Sequence, residues 1–177
     1  MSANAVFAHA APAMDRRRAR TRQALLQAFI SLMFERRYDG FGVGDLIERA
    51  NVGRSTYYEH FGSKEALLRV SMEPMLSVLA DAGTVAPVDT AALRSVVEHF
   101  WENRRLGRVV FAPPLRGFVE RQLSELLEAR LGPGNRLAAL QIAAAQIGAI
   151  DAWVTAGASA SVDEMIAAIG ATSRLAA

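Results

Sequence analysis

One stretch constrains the fold more than any other: residues 50–64, with the sequence ANVGRSTYYEHFGSK. Its glycines and polar residues predict a turn, a short helix over 54–60, a second turn and the start of another helix. Tyr57 and Phe61 are four residues apart and therefore share an inward face of the short helix. The outer side carries hydrogen-bonding groups: Arg54, Ser55, Tyr58 and Glu59. Such a face is either simply solvated or suited to a groove of a nucleic acid.

The residues before this stretch predict a helix that braces it. Apolar residues recur at spacings of three and four between Leu25 and Met33, which indicates an amphipathic helix over about 16–36. A second helix is expected over about 43–50, with Gly42 at the position of a rather weak N-cap. Two short helices joined by a three-residue turn and braced by a longer one are typical of a helix-turn-helix unit.

The remainder of the chain also predicts helices, so the expected fold class is all-α with about nine helices. Alanine and leucine dominate, and runs of Val, Ile and Thr that would favour strands are absent. Pro74 predicts a kink or a break in the fourth helix, and residues 82–88 are expected to form a loop. The predicted organisation has three parts: a flexible tail at 1–13, a helix-turn-helix domain at 14–70 and a helical regulatory and dimerisation domain at 71–177.

The distribution of charge separates the two domains. The net charge is only +2, but residues 1–70 hold eleven basic and seven acidic side chains. Five arginines lie close together between Arg16 and Arg22, at the start of the first predicted helix. Basic residues are unfavourable at the positive end of a helix dipole, so a cluster there favours an anionic partner such as phosphate over a merely solvated helix start.

Several classes of function are disfavoured by what the sequence lacks. There is no cysteine, and the three histidines, His9, His60 and His99, stand in no metal-binding or nucleophilic motif. We therefore expect no enzyme, no metal and no cofactor. The apolar N-terminus has no preceding basic segment, which argues against a secretion signal and favours a cytoplasmic protein. Residues 137–158 are the most apolar window, but polar residues interrupt it, so a buried helix is expected there and no membrane span.

Residues 43–68 resemble the DNA-binding signature of the TetR/AcrR-type helix-turn-helix transcriptional regulators. The most specific part is the pattern Thr-x-Tyr-x-His-Phe-x-x-Lys, here Thr56, Tyr58, His60, Phe61 and Lys64. The resemblance covers about 20–70. It implies a helix-turn-helix domain followed by a helical ligand-binding domain, and a homodimer that binds a palindromic operator in double-stranded DNA. It also implies a small-molecule effector that releases repression.

The resemblance implies DNA contacts for seven residues: Thr21, Arg54, Ser55, Thr56, Tyr58, His60 and Lys64. Arg54 is the candidate for base readout, because its planar guanidinium matches the two acceptors of guanine. Lys64 is expected to bind a phosphate, so its loss should weaken binding to all sequences alike and flatten the salt dependence. Tyr57 stands where the family commonly has Leu or Phe, and we expect it in the core. Glu59 either accepts a hydrogen bond from a cytosine amine or points away from DNA.

Two further sets of residues are predicted for the second domain. Apolar residues with one histidine are expected to line an effector pocket: Met75, Leu79, His99, Phe100, Phe111 and Phe118. The helix over 136–156 is apolar nearly all round, and the family dimerises through its last two helices. The predicted dimer interface accordingly consists of Leu140, Ala144, Ile147, Ile150, Ile166 and Ile169.

Other functions remain open at this point. A helical DNA-binding adaptor or structural protein without an effector would show a filled core in its second domain. An activator has the same sequence features as a repressor. An enzyme is the least favoured alternative, because no catalytic constellation is found.

Overall fold

The computed structural model describes residues 13–84 and 89–176, so residues 1–12 of the predicted tail lie outside it. Within these ranges all regular structure is helical, which confirms the all-α prediction. Short 3-10 segments occur at Tyr38–Gly40 and Thr172–Ala176. The described part has nine α-helices: α1 (Ala13–Glu35), α2 (Val43–Ala50), α3 (Arg54–His60), α4 (Lys64–Thr84), α5 (Thr90–Glu102), α6 (Arg104–Val110), α7 (Leu115–Leu131), α8 (Arg136–Val154) and α9 (Val162–Ala171).

The chain forms two compact units, and the boundary between them falls inside α4, between Leu67 and Leu68. The first unit contains α1, α2, α3 and the first turn of α4. The second contains the rest of α4 and the helices α5 to α9. Helix α4 therefore contributes residues to both units.

The first unit is built on α1, whose apolar face is buried as its spacing predicts. Leu25, Phe29 and Leu32 are almost completely inaccessible, and so are Leu46 of α2 and Tyr57 of α3. These side chains form the common core of the three helices. The helix-turn-helix unit therefore owes its shape to a shared apolar interior, since helices as short as α2 and α3 are not stable by themselves.

Two ion pairs fasten α1 and the residues after it to α2. Arg49 donates two hydrogen bonds of 2.7 Å to the carboxylate of Glu35, and Arg36 donates one of 2.7 Å to Asp45. The hydrogen bonds from Arg49 lower the pKa of Glu35 from 4.5 to about 2. Since the folded-state pKa is lowered, this ion pair stabilises the fold above about pH 4.5, and its contribution is lost as the pH falls towards 2.

The helix ends follow the capping residues in the sequence. Gly42 is the N-cap of α2 and has no side chain to offer, but its own N–H donates to Asp45 Oδ2 at 2.8 Å. The Ser63 hydroxyl accepts from the N–H of Ala66 at 3.1 Å, as expected for the cap of α4. At the start of α9, Ser161 and Glu164 form the predicted capping box.

The second unit packs around α8. Eight residues of α8 lie in the core, and α7 runs alongside it. By length and composition α8 is the one helix of the described part that could cross a membrane. Its burial within its own unit instead matches the prediction of a core helix.

Helix α4 continues through Pro74, so of the predicted kink or break the break is excluded. The helix differs from the prediction at its end: it extends to Thr84, so Ala82 and Gly83 are helical although a loop was predicted there. Residues 85–88 of that predicted loop lie outside the described ranges. Gly83 is required for packing: a Cβ atom there would lie 2.8 Å from Ile142 Cγ2 and 3.0 Å from Leu127 Cδ2. A glycine that suggests a turn in the sequence thus marks a close approach between helices.

We predict that Gly83→Ala destabilises the protein by about 1–3 kcal/mol, because the added methyl group must displace the branched side chain of Ile142. The control is Gly44→Ala in α2, where no atom lies within 4 Å of the added methyl group. That change should be neutral or stabilise by roughly 0.5–1 kcal/mol. Urea unfolding monitored by circular dichroism measures both. A Gly83→Ala variant as stable as the wild type would contradict the close packing.

Candidate nucleic-acid interface

Helix α3 has three distinct faces. Tyr57 and the C-cap residue Phe61 point inward and are 0% and 3% exposed. Arg54 and Tyr58, one turn apart, are exposed and share an outer face. A third face is turned towards α1 and carries Thr56, Glu59 and His60. The seven residues of α3 therefore separate into a buried face, an outward face and a face towards α1. The sequence predicted the buried face and a polar outer side.

The third face of α3 borders a polar groove of about 400 Å³. Arg17, Arg18 and Thr21 of α1 form the opposite wall. The groove thus brings together three residues predicted to contact DNA: Thr21, Thr56 and His60. Two guanidinium groups and two hydroxyl groups around an open groove can bind phosphate oxygens through charge and hydrogen bonds.

Glu59 lies in this same groove, which bears on the two alternatives for its role. It stands on the wall opposite Arg17 and Arg18, about 140° around the helix from Arg54 by helical geometry. A side chain there is turned away from the face that carries Arg54. Its carboxylate partly offsets the positive charge of the groove, and the arrangement favours this over base recognition.

Lys64, the single lysine, is held by contacts inside the first unit. Its Nζ donates to the carbonyl oxygens of Tyr38 at 2.7 Å and Phe41 at 2.8 Å. The same nitrogen lies 4.1 Å and 4.7 Å from the centres of the two aromatic rings. Burial lowers the pKa of Lys64 and raises that of Tyr38 to about 12. We call this arrangement the lysine cage; it joins the start of α4 to the link between α1 and α2.

The lysine cage uses two of the three N–H donors of Lys64. The sequence did not predict it, because the link at 38–41 and the start of α4 are more than 20 residues apart. The phosphate contact that the family resemblance implies for Lys64 stays a prediction. One remaining donor is compatible with it, but the geometry makes bracing the first role of this side chain.

Comparison with known proteins agrees with this geometry. Residues 25–70 match the family described as bacterial regulatory proteins, tetR family. A stretch of 74 residues is 35% identical to YxbF, an uncharacterised HTH-type transcriptional regulator of Bacillus subtilis strain 168. That match covers 41% of this chain but only 20% of YxbF.

Solved structures extend the similarity to most of the chain. A TetR transcriptional regulator from Streptococcus agalactiae 2603V is 25% identical with a TM-score of 0.59, over 90% of this chain and 97% of the other. The chain thus resembles TetR-family regulators in sequence over residues 25–70 and in fold over most of its length. A TetR-family regulator from Streptomyces coelicolor A3 has a TM-score of 0.67 at 22% identity, covering 89% and 95% of the two chains, and supports the same fold.

The chain departs from the pattern of the TetR family at Tyr57. Its ring is buried in the core, as predicted, and packs edge-on against Tyr58 at 5.2 Å. Its hydroxyl is also buried, and it has no hydrogen-bond partner in the part of the chain that the structure describes. The core therefore holds the aromatic ring of Tyr57 as it would hold that of Phe, and the hydroxyl adds no hydrogen bond to stabilise the fold.

The residues predicted for an effector pocket are only partly brought together. Met75, His99, Phe100 and Phe111 line one cavity, but its volume is about 30 Å³, close to the size of one or two water molecules. Leu79 lies in the core and Phe118 is half-buried beneath Arg69, and neither lines this cavity. Apolar spacing in the sequence cannot distinguish a cavity wall from packed core, and a role of these two residues in an effector pocket stays a prediction.

The predicted dimer interface requires a correction. Ile147, Ile150 and Ile169 are at most 1% exposed within their own chain, so they cannot form the surface that meets a partner. Leu140 and Ala144 are exposed, and Ile166 is half-buried. Leu137, which was not predicted, is 70% exposed on the same helix. The sequence could not assign the faces of α8, because that helix is apolar all round.

Tyr57 and Tyr58 provide a matched pair of substitutions. Tyr57→Phe removes a buried hydroxyl without a partner and should stabilise the fold by roughly 1 kcal/mol, raising Tm by about 2–4 °C, with DNA affinity unchanged. Tyr58→Phe removes an exposed hydroxyl and should leave Tm unchanged while weakening DNA binding. Thermal melts and fluorescence anisotropy measure the two effects. If both variants affected only stability or only binding, the assignment of the faces would be wrong.

A further prediction separates the two roles of Lys64. If Lys64→Gln breaks the lysine cage, affinity falls for all DNA sequences and Tm decreases. The slope of log affinity against log salt should then stay the same, because no counterion-releasing contact is lost. Arg17→Gln is the control and should reduce that slope by about 1. A reduction of the same size in Lys64→Gln would instead assign a phosphate contact to Lys64.

Proposed function

We propose that this chain is a sequence-specific transcriptional regulator of the TetR family that binds a palindromic operator as a homodimer. The observation that carries the proposal is the division of α3 into an outer face with Arg54 and Tyr58 and a lateral face that borders the groove with α1. The outer face is suited to base edges, and the groove is suited to the adjacent phosphates. The groups that would read the bases are thus separate from those that would position the protein on the phosphates, as in specific recognition of DNA.

Arg54 is the residue we assign to base readout. It is exposed at the first position of α3, and the N-terminal residues of a recognition helix are those that meet base edges in the major groove. Tyr58, one turn further along α3, and the neighbouring Ser55 are also exposed. Thr21, Thr56 and His60 hold the sugar-phosphate backbone together with the arginines of the groove.

The homodimer follows from the small reading surface, because one such helix contacts only a few base pairs. The exposed side of α8 is the surface we propose for the partner. Leu137, Leu140 and Ala144 recur there at spacings of three and four, with the half-exposed Gly148 one turn further. Ile166 on α9 is the other predicted residue that remains available. A stripe of small and apolar residues allows two helices to approach closely.

Release of repression by a small molecule is the family expectation, and here it would require the cavity to open. A volume of about 30 Å³ is far below the roughly 300–1,000 Å³ of organic ligand sites. Met72 and Met75 line it, and methionine side chains adapt readily to a new shape. The small volume favours a second candidate, a DNA-binding regulator or adaptor without an effector. A metabolite that both raises Tm and releases DNA would exclude this second candidate.

The test is selection of bound sequences from a random DNA pool with the full chain. We expect a palindrome whose half-sites contain guanine, and an affinity that falls steeply with salt. Arg54→Ala should relax the preference at one position of each half-site, a loss of about 1–3 kcal/mol in discrimination. Thr56→Ala is the comparison and should weaken all sites alike. Failure of folded wild-type protein to enrich any sequence would refute specific binding.

A further inference from the structure

Two tryptophans form a stacked pair at the surface of the second unit. The rings of Trp101 in α5 and Trp153 in α8 lie 4.7 Å apart with an angle of 25° between them. Trp153 is 3% exposed, and its indole N–H donates to the carbonyl oxygen of Ala160 at 2.8 Å. Trp101 is 42% exposed. A buried and hydrogen-bonded indole thus holds an exposed one in place.

A groove of about 200 Å³ opens beside this pair. Its other walls come from the segment after α8, where the residues are small: Ala156, Ala158, Ser159 and Ala160. The segment is fixed by hydrogen bonds from the N–H groups of Gly157 and Ala158 to the carbonyl oxygen of Ala152. The groove is therefore preformed, and a ligand would not need to order its walls.

Helix α6 carries three arginines, of which Arg104 contacts the tryptophan pair and Arg108 the end of α8. The Arg104 guanidinium lies 5.1 Å from the centre of the Trp101 ring. Arg108 donates to the carbonyl oxygen of Val154, at the end of α8 and the start of the groove segment. Arg105, between them in sequence, is exposed.

The positive charge of α6 contrasts with the rest of the second unit. Five other arginines of that unit each form an ion pair with a carboxylate: Arg69, Arg94, Arg116, Arg130 and Arg136. In the described part of the chain, no carboxylate lies within 4.0 Å of the three guanidinium groups of α6. Uncompensated positive charge beside an exposed aromatic surface is complementary to a ligand that is both flat and anionic.

We propose that this groove, the tryptophan groove, binds a small aromatic carboxylate. The ligand ring packs against the exposed edge of Trp101 between the small side chains of the groove segment, and its carboxylate pairs with Arg104 or Arg108. The volume suits one or two fused rings. This site is separate from the cavity lined by Met75 and Phe111, and the proposal does not depend on DNA binding.

The chain offers a direct probe, because Trp101 and Trp153 are its two tryptophans. The indole N–H signals in NMR spectra of the isotope-labelled full chain therefore report on this groove alone, and Trp101→Phe assigns them. Titration with 2-naphthoate should shift the Trp101 signal saturably. The neutral analogue 2-naphthamide should bind at least roughly tenfold more weakly, because it lacks the charge that pairs with arginine.

Three variants complete the test. The double change Arg104→Gln and Arg108→Gln should abolish the preference for 2-naphthoate over the amide, whereas Arg121→Gln, an exposed arginine on α7, should retain it. Ala158→Leu, at an exposed position, should fill the groove and block both compounds. Equal affinity for the two compounds, a preference that survives the double change, or no shift at millimolar 2-naphthoate would each overturn the proposal. Because no DNA is present, failure here leaves the proposed regulatory function unaffected.

Discussion

The helix that carries the candidate reading surface cannot maintain its own shape. Seven residues form fewer than two full turns, and helices of this length are unstable in water without tertiary support. Tyr57 and Phe61 supply that support, because both are buried: α3 packs against α2, and Arg22 of α1 lies over the Phe61 ring. The directions of Arg54 and Tyr58 are therefore consequences of core packing on the opposite side of the helix. Recognition by the outer face depends on how rigidly the inner face is held.

The lysine cage supports the same helix from its C-terminal side. Phe61 and the turn after it lead directly to Lys64, whose ammonium group is bound to the link that precedes α2. The first and last connections of the helix-turn-helix unit are thus joined by one side chain. The two carbonyl oxygens and two aromatic rings stabilise this cation without a direct ion pair to a carboxylate.

The sequence predicted those parts of the structure that depend on local chemistry. The bounds of α3 and the caps at Ser63 and Ser161 follow from the residue types at those positions, and the structure confirms them. Prediction was weaker where distant parts of the chain meet. Gly83 was predicted to lie in a loop because glycine is common in turns. Its role in close packing could not be foreseen, since its packing partner Ile142 lies 59 positions further on. The lysine cage was missed for the same reason.

Helix α8 shows the limit of periodicity most clearly. When nearly every position is apolar, the pattern contains no information on which side meets the core. Ile147 and Ile150 turned out to be core residues, while Leu137 and Leu140 face solvent. The exposed residues include Ala144 and Ala145, whose small apolar surface costs little in water. Such a face can therefore remain stable in a single chain and still be available to a partner, which is why exposure rather than composition has to define the proposed dimer surface.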